Sequence, residues 1–257
     1  MDTVQYCRET AFVWWAAVTF RDRVRLVSAT MAFHLSNATR KNRKSVPKCY
    51  RVNLVGKPQD LWLRTIGGDI FVLYEVFGSD CYKPPPGLSL NTIVDLGANV
   101  GCATLYLSSI APSAKFICVE PVPSNVEILR RNLASVRGVT VVQAAISGKS
   151  GVVAFDDQRP AWGGKISTSG QLDVEAMSID DLFARYAPEG MIDLVKMDIE
   201  GAEADVFSGP MRWLDRVRCI TAELHAGFSF EHFRDILSGR GFDVSNQMIP
   251  TAIRRGV

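Results

Sequence analysis

The sequence predicts an α/β protein: a mainly parallel sheet with helices on both faces, preceded by an N-terminal helical appendage. Three observations carry this. Strand-length apolar runs alternate with helix-length segments from about residue 92 onward, and that alternation builds a parallel sheet covered on both sides. The stretch 92–101, TIVDLGANVG, reads as a buried strand passing through Gly97 and Gly101 into the apolar run 102–107, a turn small enough for a ligand to lie against its backbone. Polar features then recur where strands end, at Asp95, Glu120, the Ala145 and Ile146 region, Asp198 to Glu203, and Glu223 with His225. In doubly wound sheets ligands sit at those carboxyl ends, where strand order reverses.

Taken in order, residues 2–40 read as one or two helices, with Trp14, Trp15, Val18, Leu26, Met31 and Leu35 supplying apolar surface and arginines the polar one. Adjacent tryptophans beside arginines suit an interfacial helix on a membrane or a lid over an apolar substrate. Packing on the main domain or against a second subunit is the alternative reading. Residues 40–48, RKNRKSVPK, have linker composition, so the expected division is a basic helical segment, 1–49, and a ligand-binding domain, 50–257. Runs at 50–55, 61–63 and 70–73, separated by Gly-Lys-Pro and Gly-Gly-Asp, predict a small antiparallel preface of strands.

Beyond the glycine turn, 116–119 is the next buried strand. Ser124 and Glu127 have capping-box spacing for a helix with Val126, Leu129 and Leu133 on one face. Further strands are expected at 139–142, 151–155, 173–177, 192–197 and 219–224, with an edge strand over 242–249. Helices are expected at 178–186, 202–207 and 229–237, and a loop over 156–171 holds Trp162.

Composition limits the possibilities. At 47% hydrophobic and 22% charged over 257 residues, the chain can bury one large core, which excludes a mainly disordered or coiled-coil protein. The net charge of +2 conceals an asymmetry: residues 1–57 carry 11 Lys and Arg against 3 Asp and Glu, and residues 58–257 carry 18 against 24. A basic first segment suits an anionic membrane or a phosphorylated substrate, or is a solvated face. Six cysteines without a Cys-x-x-Cys pair fit a reducing compartment, and three dispersed histidines give no zinc spacing. The apolar stretch 11–20 is too short to span a bilayer and meets arginines rather than a cleavage site. A cytoplasmic location is expected, with membrane association through residues 1–40 and self-association left open, and no nucleic acid partner.

The turn itself discriminates between ligands. Glu120, an acceptor only when ionised, suits the paired hydroxyls of a ribose. A dinucleotide site wants G-x-G-x-x-G, but residues 97–101 are GANVG, and Asp95 would repel a pyrophosphate. A carboxylate there suits a cationic ligand such as S-adenosylmethionine. A nicotinamide-dependent oxidoreductase and a non-catalytic binding protein on the same fold are the competing classes.

Six strings, VDLGANVG (94–101), VEPVPSNVEILRRN (119–132), AAISGKSGVVAF (144–155), SIDDLF (178–183), DLVKMDIEGAEADVFSG (193–209) and ITAELH (220–225), resemble the FkbM family of S-adenosylmethionine-dependent methyltransferases. The resemblance runs from about residue 75 to 242. It implies a Rossmann-like class I methyltransferase fold and methyl transfer to a hydroxyl of a sugar, glycolipid or glycosylated natural product. It also implies that Asp95, Gly97, Asn99 and Gly101 line the methionine portion of the cofactor, with Asp198 nearby. Glu120 then holds the ribose, Ala145 and Ile146 border the adenine, and Tyr82 borders the cofactor.

A sugar hydroxyl is a poor nucleophile, so transfer calls for a general base or a metal. His225 is the candidate base, with Asp198 and Glu223 as its catalytic neighbours; a histidine satisfied by local hydrogen bonds is the alternative. Asp198, Glu200, Glu203 and Glu223 form an acidic group able to hold Mg²⁺, Asp198 and Glu223 foremost, although Glu200 or Glu203 would equally suit the start of the following helix. Lys196 is expected to pair with a nearby carboxylate, and Trp162 to stack on a sugar ring or anchor its loop.

Overall fold

A computed structural model of the chain describes residues 3–39, 46–64, 68–156, 164–167 and 170–256. Two helices, α1 (Thr3–Ala16) and α2 (Phe20–Thr39), come first, followed by strands β1 (Pro47–Leu54) and β2 (Lys57–Arg64) and helix α3 (Asp69–Gly78). The glycine turn then joins β3 (Thr92–Leu96) to α4 (Cys102–Ile110), and β4 (Lys115–Val119), α5 (Pro123–Asn132) and β5 (Val139–Val142) continue the alternation. Four short strands follow: β6 (Ala145–Ile146), β7 (Gly151–Asp156), β8 (Lys165–Ile166) and β9 (Leu172–Met177). The remainder is α6 (Ile179–Tyr186), β10 (Ile192–Met197), α7 (Glu203–Ser208), β11 (Val217–Ala222), α8 (Phe230–Ser238), β12 (Phe242–Asn246) and β13 (Pro250–Arg254).

The central sheet has seven strands in the order β12-β13-β11-β10-β3-β4-β5. The pairs from β11 through to β5 are parallel, whereas β13 runs antiparallel to both β11 and β12. The chain proceeds one way from β3 to β4 and β5, then returns to the other side of β3 with β10. Strand order therefore reverses between β3 and β10, and the crevice beyond their carboxyl ends is where such sheets bind ligands. All six residues of β10 are buried, as a strand flanked and covered on both faces requires.

Alternation along the strands feeds two cores. Ile93, Leu194 and Cys219 point into one cluster, while Val94, Val195 and Ile220 point into the other, the period-two pattern of a sheet. Val13, Leu26 and Ala29 of the N-terminal helices join the first cluster together with Tyr50, Val52, Leu61 and Leu63 of the β1–β2 hairpin. The expected boundary at residues 49 and 50 lies inside β1, which pairs with β2 from Pro47 opposite Arg64 to Leu54 opposite Lys57. Val55 and Gly56 both have positive φ at the turn, which matches the right-handed twist of a two-residue hairpin.

Three expectations are corrected. Residues 70–73 belong to helix α3, not a strand: Ile70, Leu73 and Val76 recur at helical spacing on its buried side, and Asp69 puts a carboxylate at its N-terminal end. Helix α5 begins at Pro123 with Val122 as its N-cap, so Ser124 falls inside the first turn; proline at the first position has its φ preset and lacks only an N–H that would be orphaned. The edge over 242–249 is β12 alone, and the chain reverses to insert β13 between β12 and β11, with Pro250 at the strand's first residue, where a missing donor is tolerated.

The hairpin is tied to the sheet domain by buried polar groups. Asn132 of α5 accepts from Trp62 N at 2.7 Å and donates to the carbonyls of Trp62 at 3.1 Å and Val100 at 2.8 Å. Arg64 forks onto Asp69, with Nη2 at 2.8 Å from Oδ1, and donates from Nη1 to Asn125 Oδ1 at 2.8 Å. Asp69 is fully buried and Arg64 nearly so. Removing one partner of such a pair leaves a buried charge uncompensated. Arg64→Ala should therefore destabilise the fold by about 3–5 kcal/mol in denaturant unfolding, and the double variant Arg64→Met with Asp69→Leu should lose much less; equal losses would show that the pair is not what the region depends on.

Candidate active site

The site is assembled at the β3–β10 junction. Gly97 has φ 78°, and a Cβ placed on it would lie 1.7 Å from the carbonyl oxygen of Asp198, so only glycine lets the turn pass the end of β10. Both Gly97 N and Ala98 N donate to Val119 O at 2.9 Å. Gly101, also left-handed, packs against Leu129 and Leu133 of α5; its role is helix packing behind the turn.

Beneath the turn lies a buried ion pair. Lys196 Nζ sits 3.1 Å from Asp95 Oδ1 and 3.8 Å from Asp198 Oδ2, and donates to Gly97 O at 2.8 Å. Thr104 donates to Asp95 Oδ2 at 2.7 Å. Burial works to lower the Lys196 pKa, but Asp95 and Asp198 outweigh it, so the ammonium is held above its ordinary range. Lys196 thus pairs with a nearby carboxylate as expected, and its cation also faces the Tyr82 ring at 5.2 Å.

Around this pair opens a cavity of about 1260 Å³. Tyr82, Gly97, Asn99 and Glu120 line it, as do Ala145, Ile146, Asp198, Glu223 and His225. Five separate strand ends and the segment before β3 therefore converge. Asp95, by contrast, is wholly buried under the turn, and it acts on the cavity wall through Lys196 and Gly97. Trp162 lies outside the described residues, and the neighbouring Gly164 lines the cavity.

Glu120 is fixed by three donors: Asn99 N at 2.9 Å, Val122 N at 3.0 Å and Asn125 Nδ2 at 2.9 Å. Burial raises its pKa, and these hydrogen bonds pull against it. Because Asn125 also accepts from Arg64, the carboxylate is positioned from as far away as the β1–β2 hairpin.

The second half of the site is acidic. His225 Nδ1 lies 2.8 Å from Glu203 Oε1, and its Nε2 lies 3.5 Å from Glu200 Oε2 and 3.8 Å from Asp198 Oδ1. The hydrogen bond with fully buried Glu203 is the largest influence on the imidazole; with Glu200 and Asp198 it overcomes burial and pushes the His225 pKa up to about 9. Glu200 is raised to about 7 by burial and then by Asp198. Burial and Asp198 also raise Glu223, which accepts from Tyr82 OH at 3.4 Å. Among the described residues, the trio with ligand atoms within 4.8 Å of one another is Asp198, Glu200 and His225; Glu223 is not part of it, so the expected Asp198–Glu223 metal pair is not the grouping the fold gathers.

One role and one residue escape the sequence reading: Glu203 is expected only within the acidic group or at the start of the following helix, and Glu75 is not expected at all. Glu203, 22 residues before His225, proves to be the group that orients the imidazole, and nothing in that spacing announces it. Glu75 on α3 lines the cavity and is raised to about 8, chiefly by burial and then by Glu223 and Asp198. Its signal was present: one acid inside the apolar run 70–77.

A seven-stranded sheet of this order, with a glycine turn after its first strand and an acid ending the next, defines a Rossmann-like class I methyltransferase. The methyltransferase FkbM domain matches residues 95–244, and the chain belongs to that family. It is similar to the methyltransferase sdnD of Sordaria araneosa, 27% identical over 68% of this chain and 82% of that protein. It is also similar to the 2-O-methyltransferase NoeI of Sinorhizobium fredii, 29% identical over 55% of this chain and 64% of that one. The hexuronic acid methyltransferase AglP of Haloferax volcanii is 28% identical over 56% of this chain and 60% of its own length. Family and fold imply S-adenosylmethionine as methyl donor.

The His225–Glu203 contact makes a direct prediction. In a pH titration followed by imidazole NMR, His225 should titrate near 9, and Glu203→Gln should move it down toward the ordinary histidine range, because the carboxylate that favours the protonated ring is gone. An unchanged midpoint in that variant would remove Glu203 from the account.

Proposed function

We propose that the protein transfers a methyl group from S-adenosylmethionine to a hydroxyl of a sugar, glycolipid or glycosylated natural product, with His225 as general base. The observation that carries this reading is the imidazole held by Glu203 at the cavity wall with its other nitrogen turned toward Asp198. The activities for which the 2-O-methyltransferase and the hexuronic acid methyltransferase are named support oxygen as the methyl acceptor and a sugar as its carrier.

The residues fit the donor. Asn99 Oδ1 and Asp198 Oδ1 are buried acceptors on the cavity wall with no hydrogen-bond partner in the protein, and such atoms suit an ammonium group. Glu120, already oriented, takes the ribose hydroxyls; Ala145 and Ile146 provide an apolar border for adenine; Tyr82 and Glu223 close the side facing Lys196. When bound, S-adenosylmethionine supplies a methyl electrophile on a sulfonium.

The chain's own task is to orient the acceptor and take its proton. In the neutral ring, with Nδ1–H donated to Glu203, His225 Nε2 accepts the proton of the attacking hydroxyl. Asp198 and Glu200 then stabilise the imidazolium that forms. Asp198 serves both halves of the site. Since Nε2 accepts the proton, this reading needs no Mg²⁺.

These roles have distinct readouts. The deprotonated ring grows in population as pH rises toward about 9, so kcat should climb with pH across that range. His225→Ala should lower kcat by about 10²–10⁴ while calorimetric binding of S-adenosylmethionine persists, and chelation with EDTA should leave turnover unchanged. Glu120→Ala should weaken donor binding by about tenfold or more. Full turnover in the His225 variant, or loss of turnover with EDTA, would overturn the base assignment; absence of donor binding would overturn the whole reading.

A further inference from the structure

Helix α2 carries two apolar faces. Leu26, Ala29 and Phe33 face inward and are buried. On the opposite side Phe20, Val24, Met31 and Leu35 follow one another at helical spacing and stand in solvent, Phe20 at 71% and Leu35 at 62% exposure. Where α1 turns into α2, Trp15, at 76%, and Val18 extend the same outward apolar surface. An isolated exposed leucine needs no explanation, but a continuous stripe of this kind marks a contact surface.

Among the described residues, the exposed charges on these two helices have one sign, and the neighbouring Asp60 of the hairpin is paired with Arg51 at 3.0 Å. Between residues 4 and 35 the acids are Glu9 and Asp22, both buried, the first paired with His34 at 2.7 Å and the second with Arg25 at 2.7 Å. Arg8 and Arg21 are exposed, and Arg23 lies over the Trp14 ring at 5.6 Å. Exposed aromatic and aliphatic side chains interleaved with arginines, with no exposed carboxylate among the described residues of these helices, match an anionic bilayer surface: the rings and chains enter the headgroup boundary and the guanidinium groups meet phosphate. A second copy of the chain joined through the same face would set arginines against arginines, which disfavours it. Among the described residues no helix is long and apolar enough to cross a membrane, so the contact is one of lying on the surface.

We infer that the outer face of α1 and α2, centred on Trp15 and Phe20, docks the protein onto anionic lipid. The docked face stands one helix away from the cavity. Phe12 of α1 packs edge-on against Tyr74 of α3 at 5.7 Å, and α3 supplies Phe71, Val72 and Glu75 to the cavity wall.

The test uses the full chain with vesicles of phosphatidylcholine alone and of equimolar phosphatidylcholine and phosphatidylglycerol. The protein should sediment with the anionic vesicles about tenfold or more better than with the neutral ones. Its tryptophan emission should shift to the blue on binding, and binding should weaken as salt rises. Trp15→Glu with Phe20→Glu, both at exposed positions, should retain the far-ultraviolet circular dichroism of the parent and lose that binding by about tenfold or more. The inference is overturned if neither vesicle binds, if both bind equally, or if the double variant binds as the parent does. A dimer in analytical ultracentrifugation that the double variant dissolves would overturn it in favour of a second copy.

Discussion

One buried cation holds the site together. Lys196 stands next to the carboxyl end of β10, a strand buried along its whole length, and it is kept there by Asp95 on the neighbouring strand and by the carbonyl of Gly97 in the turn. An ammonium and a carboxylate out of water are each costly, so each requires the other. Their pairing locks the end of β3 to the end of β10 where strand order reverses. The turn, the Glu120 contact at Asn99 and the position of Asp198 all follow from that lock. It also explains why Asp95 sits below the cavity and not in it: the carboxylate is committed to Lys196 and Thr104.

The electrostatic design of the cavity has two registers. Around Glu120 the acid is oriented by three backbone and amide donors, a rigid acceptor with capacity left on Oε2. Around His225 the carboxylates are crowded, and burial, followed by their mutual repulsion, keeps Glu200, Glu223 and Glu75 above the ordinary carboxylate range. The same crowding stabilises the protonated imidazole. A region that favours one more positive charge is suited both to a sulfonium donor and to a base that has just taken a proton.

The sheet was legible in the sequence because its signals are local. The apolar runs ending at Asp95, Glu120, Asp198 and Glu223 are short, bounded and repeated, and Ser178 and Ser229 cap their helices through Asp181 N and His232 N at the expected distance in sequence. What escaped depended on distant partners. Residues 70–77 satisfy strand and helix patterns alike, and only packing against Arg64 and α4 decides between them. The site was legible as a set of positions but not as a set of pairs: His225 looked adjacent to Glu223 along the chain, whereas its ring is held by Glu203 from another element.

The relay from Arg64 through Asn125 to Glu120 reaches outside residues 95–244, the stretch shared with the family. The working unit is therefore larger than the stretch that matches the family. A chimera that kept residues 95–244 and exchanged the hairpin would retain every residue of the glycine turn yet remove the guanidinium that anchors the amide behind Glu120. With Glu120 as the proposed ribose acceptor, swapping front segments between relatives would then change how firmly the nucleoside end of the donor is held. Donor affinity would thus answer to an arginine that lies outside the stretch matching the family.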